Sequence, residues 1–146
     1  MLAVLVDNGN VMISDGSLTV TGTKSAAVPH PDGTHRLLYC VESPEAWFED
    51  FGEGALVDGQ TRVELDSDFA SVIHTDSYHV FLTAYGDSRG LFVADRNATG
   101  FSVLEQQGGK SNIRFAYRVV AKRKDLQVER LAKCEIERVT RGIRPE

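Results

Sequence analysis

Residues 111–125 read SNIRFAYRVVAKRKD. Ile113, Phe115, Tyr117 and Val119 fall at even spacing, while Arg114, Ala116, Arg118 and Val120 occupy the intervening positions. Side chains alternate between the two faces of a strand. A long alternation with arginines on one side therefore predicts an antiparallel strand with one buried and one solvated face. The preceding sequence has the same rhythm. In YHVFLTAYGD, Tyr78, Val80 and Leu82 alternate with His79, Phe81 and Thr83. GLFVADRN and GFSVL follow as further strands, and a QQGG turn leads into residue 111. ALVDGQTRVEL places Asp58-Gly59 between two apolar segments, a turn signal. About six to eight strands are expected after Arg36, with turns every 8 to 12 residues or so, and no βαβ rhythm. This predicts an all-β fold built from antiparallel sheets.

Other segments read differently. In residues 66–76, Phe69, Val72 and Ile73 have i, i+3, i+4 spacing, which predicts one short helix. Asp66 is its expected N-cap, and an EF-hand reading of Asp66 and Asp68 lacks the glycine and the distal glutamate. RLLYCVES is expected to be a strand buried on both faces and ended by Pro44. Residues 23–36 are expected to be a loop. Residues 1–6 are apolar, have no basic leader and are too short to span a membrane, so they read as a first strand. Within residues 9–22, Val11 and Ile13 and then Leu18 and Val20 alternate with other residues around an Asp15-Gly16 turn signal. So few apolar side chains cannot stabilise a free hairpin in water. This arm needs another surface, either the rest of the chain or other copies of it. In the tail, Ala132, Cys134 and Ile136 suit a strand, and a short helix is an alternative.

Bulk properties narrow the function classes. Of 146 residues, 42% are hydrophobic and 25% charged, the composition of a folded domain rather than a disordered chain. Thirteen glycines against four prolines suit many turns without proline-rich linkers. The net charge of -5 hides a polarity: residues 1–103 carry 5 bases and 15 acids, and residues 104–146 carry 11 bases and 6 acids. A basic tail can bind nucleic acid. Here Glu129, Glu135 and Glu137 interrupt it and no nucleic-acid motif is present, so pairing with acids of the same or a neighbouring chain is the preferred reading. Neither a nucleic-acid partner nor membrane insertion is expected. Cys40 and Cys134 form no C-x-x-C or zinc spacing and are expected to be buried thiols.

The stretch YCVESPEAWFEDFGEGAL at residues 39–56 is the best place to look for chemistry. It gathers Glu42, Glu45, Glu49, Asp50 and Glu53 around Trp47, the one tryptophan. A glycosidase needs two carboxylates across one sugar bond. Neighbouring acids in a turn usually point into water, so a structural corner followed by a solvated loop is favoured over a catalytic pair. Trp47, Phe48 and Phe51 are expected to be core or interface anchors rather than a sugar platform. His30 and His35, in PHPDGTH, are expected to be plain loop histidines. They are also the best candidates for a ligand-binding loop, alongside Trp47. No P-loop, dinucleotide fingerprint or serine elbow is present. No cofactor is expected.

The ordered series VTGTKSAAV, RLLYCVESPEAWFEDFGEGALVDGQTRVELDSDF and YHVFLTAYGDSRGLFVADRNATGFSVLEQQGGKSNIRFAYRVVAKRKD resembles a module of phage-tail-fibre-like and bacterial surface-fibre proteins. The likeness covers roughly residues 9–125. It implies a non-enzymatic structural role in a homotrimer of a virion tail or cell-surface appendage, with a tail or baseplate protein and a host-surface glycan as further partners. The fold it implies is a β-sandwich-like or β-prism domain at residues 25–146, with an uncertain tail from 126, behind an N-terminal β arm at residues 1–24. Val11, Ile13, Leu18 and Val20 would then line the trimer axis. Trp47, Phe48 and Phe51 would pack the subunit contact, and the basic strand from Arg114 to Lys124 would face acids of a neighbour. The alternative is a monomeric carbohydrate-binding or carbohydrate-cleaving β-sandwich using Trp47 and the surrounding acids.

Overall fold

The computed structural model describes residue 6 and residues 9–135. The opening strand expected at residues 1–6 falls, except for Val6, outside the described residues, as does Ile136 of the tail. The chain divides into two units, residues 1–42 and 43–146.

In the first unit, β1 (Ser25–Pro29) and β2 (His35–Tyr39) form an antiparallel hairpin, with Ala27 opposite Leu37. The loop expected at residues 23–36 therefore contains a strand. The expected strand at 36–43 ends early and is not buried on either face, because a lone two-stranded ribbon has no second layer of its own. Every described residue from Val6 through Glu42 is exposed. Residues 9–24 carry bends and no strand, so the hairpin expected around Asp15-Gly16 does not form in the single chain.

The second unit holds β3 (Trp47–Ala55), β4 (Gln60–Glu64), helix α1 (Ser67–Val72), β5 (His79–Tyr85), β6 (Leu91–Asn97), β7 (Gly100–Glu105) and β8 (Arg114–Lys122). They make two three-stranded antiparallel sheets, ordered β3-β8-β5 and β4-β7-β6. The all-β antiparallel reading holds, and the two sheets share one core in sandwich-like fashion. From the central strands, Phe101 and Val103 of β7 meet Phe115, Val119 and Ala121 of β8, all fully buried, and Leu56, Ile73 and Tyr78 complete the cluster. The Phe101 and Tyr117 rings meet edge to face at 5.5 Å between centroids. The buried Tyr78 hydroxyl donates to the carbonyls of Gly100 at 2.7 Å and Asn97 at 3.0 Å, tying the entry of β5 to the β6–β7 turn. Burial pushes that phenol's pKa above its ordinary value.

Local chemistry explains the connections. The chain leaves β3 through Leu56, then reverses at Asp58 and Gly59, both with positive φ, while Val57 and Gln60 exchange backbone hydrogen bonds. Positive φ at both central residues is the geometry that selects Asp-Gly. The Asp66 carboxylate accepts from the amides of Asp68 and Phe69 at 2.9 and 3.0 Å, the expected N-cap. Phe69 packs against the core and Ile73 is buried just after the helix, whereas Val72 points outward. The Asn97 side-chain oxygen accepts from the amides of Thr99 and Gly100, closing the β6–β7 turn.

The largest departure is residues 47–55, expected as an acidic loop. They form the nine-residue strand β3, paired throughout with β8 from Trp47–Lys122 to Ala55–Arg114. Its inward positions include Gly52 and Gly54, over which the Tyr117 and Phe115 rings lie. The glycines that suggested a loop are spaces for those rings. The two cysteines are exposed rather than buried: Cys40 follows the uncovered hairpin, and Cys134 sits in a tail whose described part has neither strand nor helix. No helix among the described residues is long and apolar enough to cross a membrane.

A Cβ on Gly54 would stand 2.6 Å from the buried Phe115 ring. Gly54→Ala is expected to destabilise the protein by about 1–3 kcal/mol in urea unfolding, although alanine is ordinarily the better strand residue. A neutral or stabilising result would show that β3 does not seat that ring.

Candidate interaction surface

The outer face of the β3-β8-β5 sheet follows from its register. Odd-numbered residues of β3, even-numbered residues of β8 and odd-numbered residues of β5 stand on one side. Phe51, Arg118 and Phe81 form one row across the three strands, and Glu49, Val120 and His79 form the next. Acids of β3 meet bases of β8 along this face. Arg118 Nε donates to Glu49 at 2.7 Å, Arg114 pairs with Glu53, and Lys122 donates at 2.7 Å to Glu45, just ahead of β3. Glu45 also lies 3.7 Å from Arg130. Of the five acids expected in a corner and solvated loop, Glu45, Glu49 and Glu53 are thus one half of a cross-strand ladder. The basic strand, expected to face a neighbour's acids, finds them in its own chain.

Aromatic rings fill the gaps between these pairs. The Arg118 guanidinium stands 5.9 Å from the Phe51 ring centroid and 5.7 Å from that of Phe81. Lys122 Nζ is 5.6 Å from the Trp47 ring, which in turn lies 5.6 Å from His79. Such cations over ring faces contribute about 0.5–1 kcal/mol each at exposed sites. Phe51, Phe81 and Tyr85 remain more than half exposed. The face is therefore aromatic, and its three bases are matched by three acids.

The expected site residues do not form one cluster. Trp47 and Phe51 share this outer face. Phe48 turns the other way, packs against the core and lies under Arg123, whose guanidinium is 4.6 Å from its ring. Val11, Ile13, Leu18 and Val20 are exposed in the first unit. His30 sits in the β1–β2 loop with Nδ1 3.0 Å from Asp32, and His35 opens β2. Hydrogen bonds from the Thr34 hydroxyl and amide, with Arg36 assisting, hold the Asp32 carboxyl at about 2. These contacts organise the hairpin loop. No group of three or more metal-ligating side chains occurs among the described residues. A cleft of about 350 Å³ beside the end of β8 is lined by Glu45, His74, Lys122, Arg123, Leu126 and Glu129 among others. Within it Glu45 and Lys122 pair with each other, and Arg123 pairs with Asp125.

The sequence reading overlooked His79, Phe81 and Tyr85 as surface residues, and Glu105 altogether. Alternation within YHVFLTAY already put Phe81 beside His79, but only strand pairing brings both next to β3. Glu105, 6% exposed at the end of β7, accepts from the amides of Arg89 at 2.9 Å and Ser111 at 2.7 Å. These bonds, from Arg89 first and Ser111 next, lower its pKa and tie two loops to one carboxylate. No local signal marks a glutamate for that task.

No protein-family model matches the chain, and no curated protein matches it. The described residues form an all-β, antiparallel protein.

Two outcomes follow. A double-mutant cycle on Glu49→Ala and Arg118→Ala is expected to give a coupling of about 0.2–1 kcal/mol that shrinks with salt; zero coupling at low salt would remove the ladder. Glu105 has a folded-state pKa below the ordinary 4.5. Its contribution is therefore in place above that value and is lost as pH falls through the folded-state pKa. The stability gap between the native chain and Glu105→Gln should narrow as pH is lowered from about 6 to about 3. A gap independent of pH would contradict the assignment.

Proposed function

We propose that this chain is a non-enzymatic structural module of a homotrimeric fibre or surface appendage, assembled through its N-terminal unit. The observation that carries the reading is that no described residue up to Glu42 is buried, although the segment contains Val11, Ile13, Leu18, Val20, Leu37, Leu38 and Tyr39. Exposed apolar surface of this extent marks an interaction site. The occupant that fits is a further copy of the chain. Residues 9–42 carry two bases and three acids, so like meets like without strong repulsion. Four of those five charges are already paired, Lys24 with Glu42 and Arg36 with Asp32, which leaves little to attract a partner of opposite charge. Chains that each lack a core can share one, as stacked repeat units do. The likeness to fibre modules supplies the three-fold order, the virion-tail or cell-surface setting and the host glycan as an attachment partner. The non-enzymatic reading draws support from the opening acids, since Glu49 and Glu53 are engaged by arginines on an open sheet face and Glu45 is engaged by Lys122.

The second reading, a monomeric carbohydrate-binding sandwich, has one observation in its favour: the aromatic outer face with Trp47, Phe51 and Phe81. Light scattering separates the two. The expected particle has about three times the 16.1 kDa chain mass at micromolar concentration. Leu18→Asp with Val20→Asp is expected to reduce it to one chain while leaving the β circular-dichroism signal intact. A native chain that stays monomeric across the concentration range would overturn the assembly reading.

A further inference from the structure

The two sheets of the second unit end in four edge strands: β3, β5, β4 and β6. Open edges invite pairing with other chains, and proteins guard them with charge, bulges or shortness. Three of the four are guarded. β3 carries Glu49, Asp50 and Glu53. β4 is five residues long with Arg62 and Glu64, and β6 has Asp95 and Arg96 at a register break between Val93 and Arg96. β5, HVFLTAY, has no acid, lysine, arginine, glycine or proline, and it pairs with β8 without a break. Among the described residues, no backbone hydrogen bond reaches residues 79–85 from outside that pairing. Apart from His79, the residues of this regular edge thus carry none of these guards.

The first unit contains a matching segment. Residues 17–21, Ser-Leu-Thr-Val-Thr, are uncharged, strand-forming and alternating, yet they form no strand in their own chain. Leu18 and Val20 are 71% and 40% exposed. Added to β5, such a segment would continue both faces of the sheet. Leu18 and Val20 would extend the inner face that carries Val80 and Leu82, while Thr19 would stand on the outer face that carries Phe81 and Thr83. Main-chain bonds supply the affinity in strand addition and alternate side chains supply the register. We infer that the free edge of β5 is the acceptor for residues 17–21 donated by another copy of the chain. This rests on the assembly reading and names the partner surface for part of its arm. Because each chain has one donor and one acceptor, the contact is head-to-tail and closes into a ring when the rotation allows.

Disulfide trapping tests this in the full chain with Cys40→Ser and Cys134→Ser. Thr83→Cys is combined with Thr19→Cys or, to cover the neighbouring register, with Thr21→Cys, since a disulfide needs Cα atoms roughly 4.4–6.8 Å apart. Mild oxidation is expected to link chains up to trimers on a non-reducing gel, reversed by reductant, with no link in any single-cysteine variant. In the native-cysteine chain, Thr83→Lys is expected to keep the β circular-dichroism signal and lower the particle mass to one chain. A trimer by light scattering with no link at either donor position overturns this inference and leaves the assembly reading in place. A link within one chain, or one formed equally by Thr19→Cys alone, also overturns it. A native monomer overturns both.

Discussion

The second unit depends on contact between the inner faces of two central strands, β7 and β8. Phe101 and Val103 on one side and Phe115, Val119 and Ala121 on the other are removed from water together. Each sheet has only three strands, and neither has a second face to bury. Burying one such aliphatic or aromatic side chain contributes about 1.5–3 kcal/mol, so the β7–β8 contact is the main source of cohesion. The rest is arranged around it. Gly52 and Gly54 make room for the rings of Tyr117 and Phe115, Tyr78 ties β5 to the β6–β7 turn, and Glu105 gathers the loops at the far end of β7.

The two units solve the same problem differently. Residues 43–135 bury one apolar cluster between their own two sheets. The first unit places comparable side chains on a two-stranded ribbon and an arm without strands, and by itself forms no buried core among its described residues. A ribbon of that kind is marginal alone. The same contrast appears at the sheet edges, where three strands are guarded and β5 is not. One chain therefore carries both a strand-forming segment that forms no strand and an unguarded sheet edge, the two features on which the proposed association rests.

The acidic stretch shows how a strand can be misread as a loop from composition. Five acids beside a tryptophan suggest a cleft, and the interspersed glycines suggest a loop. The alternation Trp47-Glu49-Phe51-Glu53 was present all along. It was masked because, after Phe48, its inward positions Asp50, Gly52 and Gly54 are not apolar, so most of the usual apolar-polar contrast of a half-buried strand is missing. The bases that answer the acids lie more than sixty residues away, and their spacing along β8 matches only once the register is known. Likewise the pairing of residues 23–36 with the next strand was hidden by the short, small side chains of Ser25, Ala26 and Ala27.

The sequence alone determined the strand content, the alternation of β5 and β8, the Asp58-Gly59 reversal, the Asp66 cap and the short helix, because each depends on residues within a few positions of one another. It also determined that residues 9–22 lack the apolar side chains for a core of their own. Tertiary structure decided what local pattern cannot encode: which strands are neighbours, that β3 is a strand at all, that Cys40 and Cys134 face solvent, and that the acids and bases meet within one chain. Those outcomes turn on contacts between residues far apart in sequence, and such contacts are fixed by register and by the shape of the ring-over-glycine packing rather than by the chemistry of any single segment.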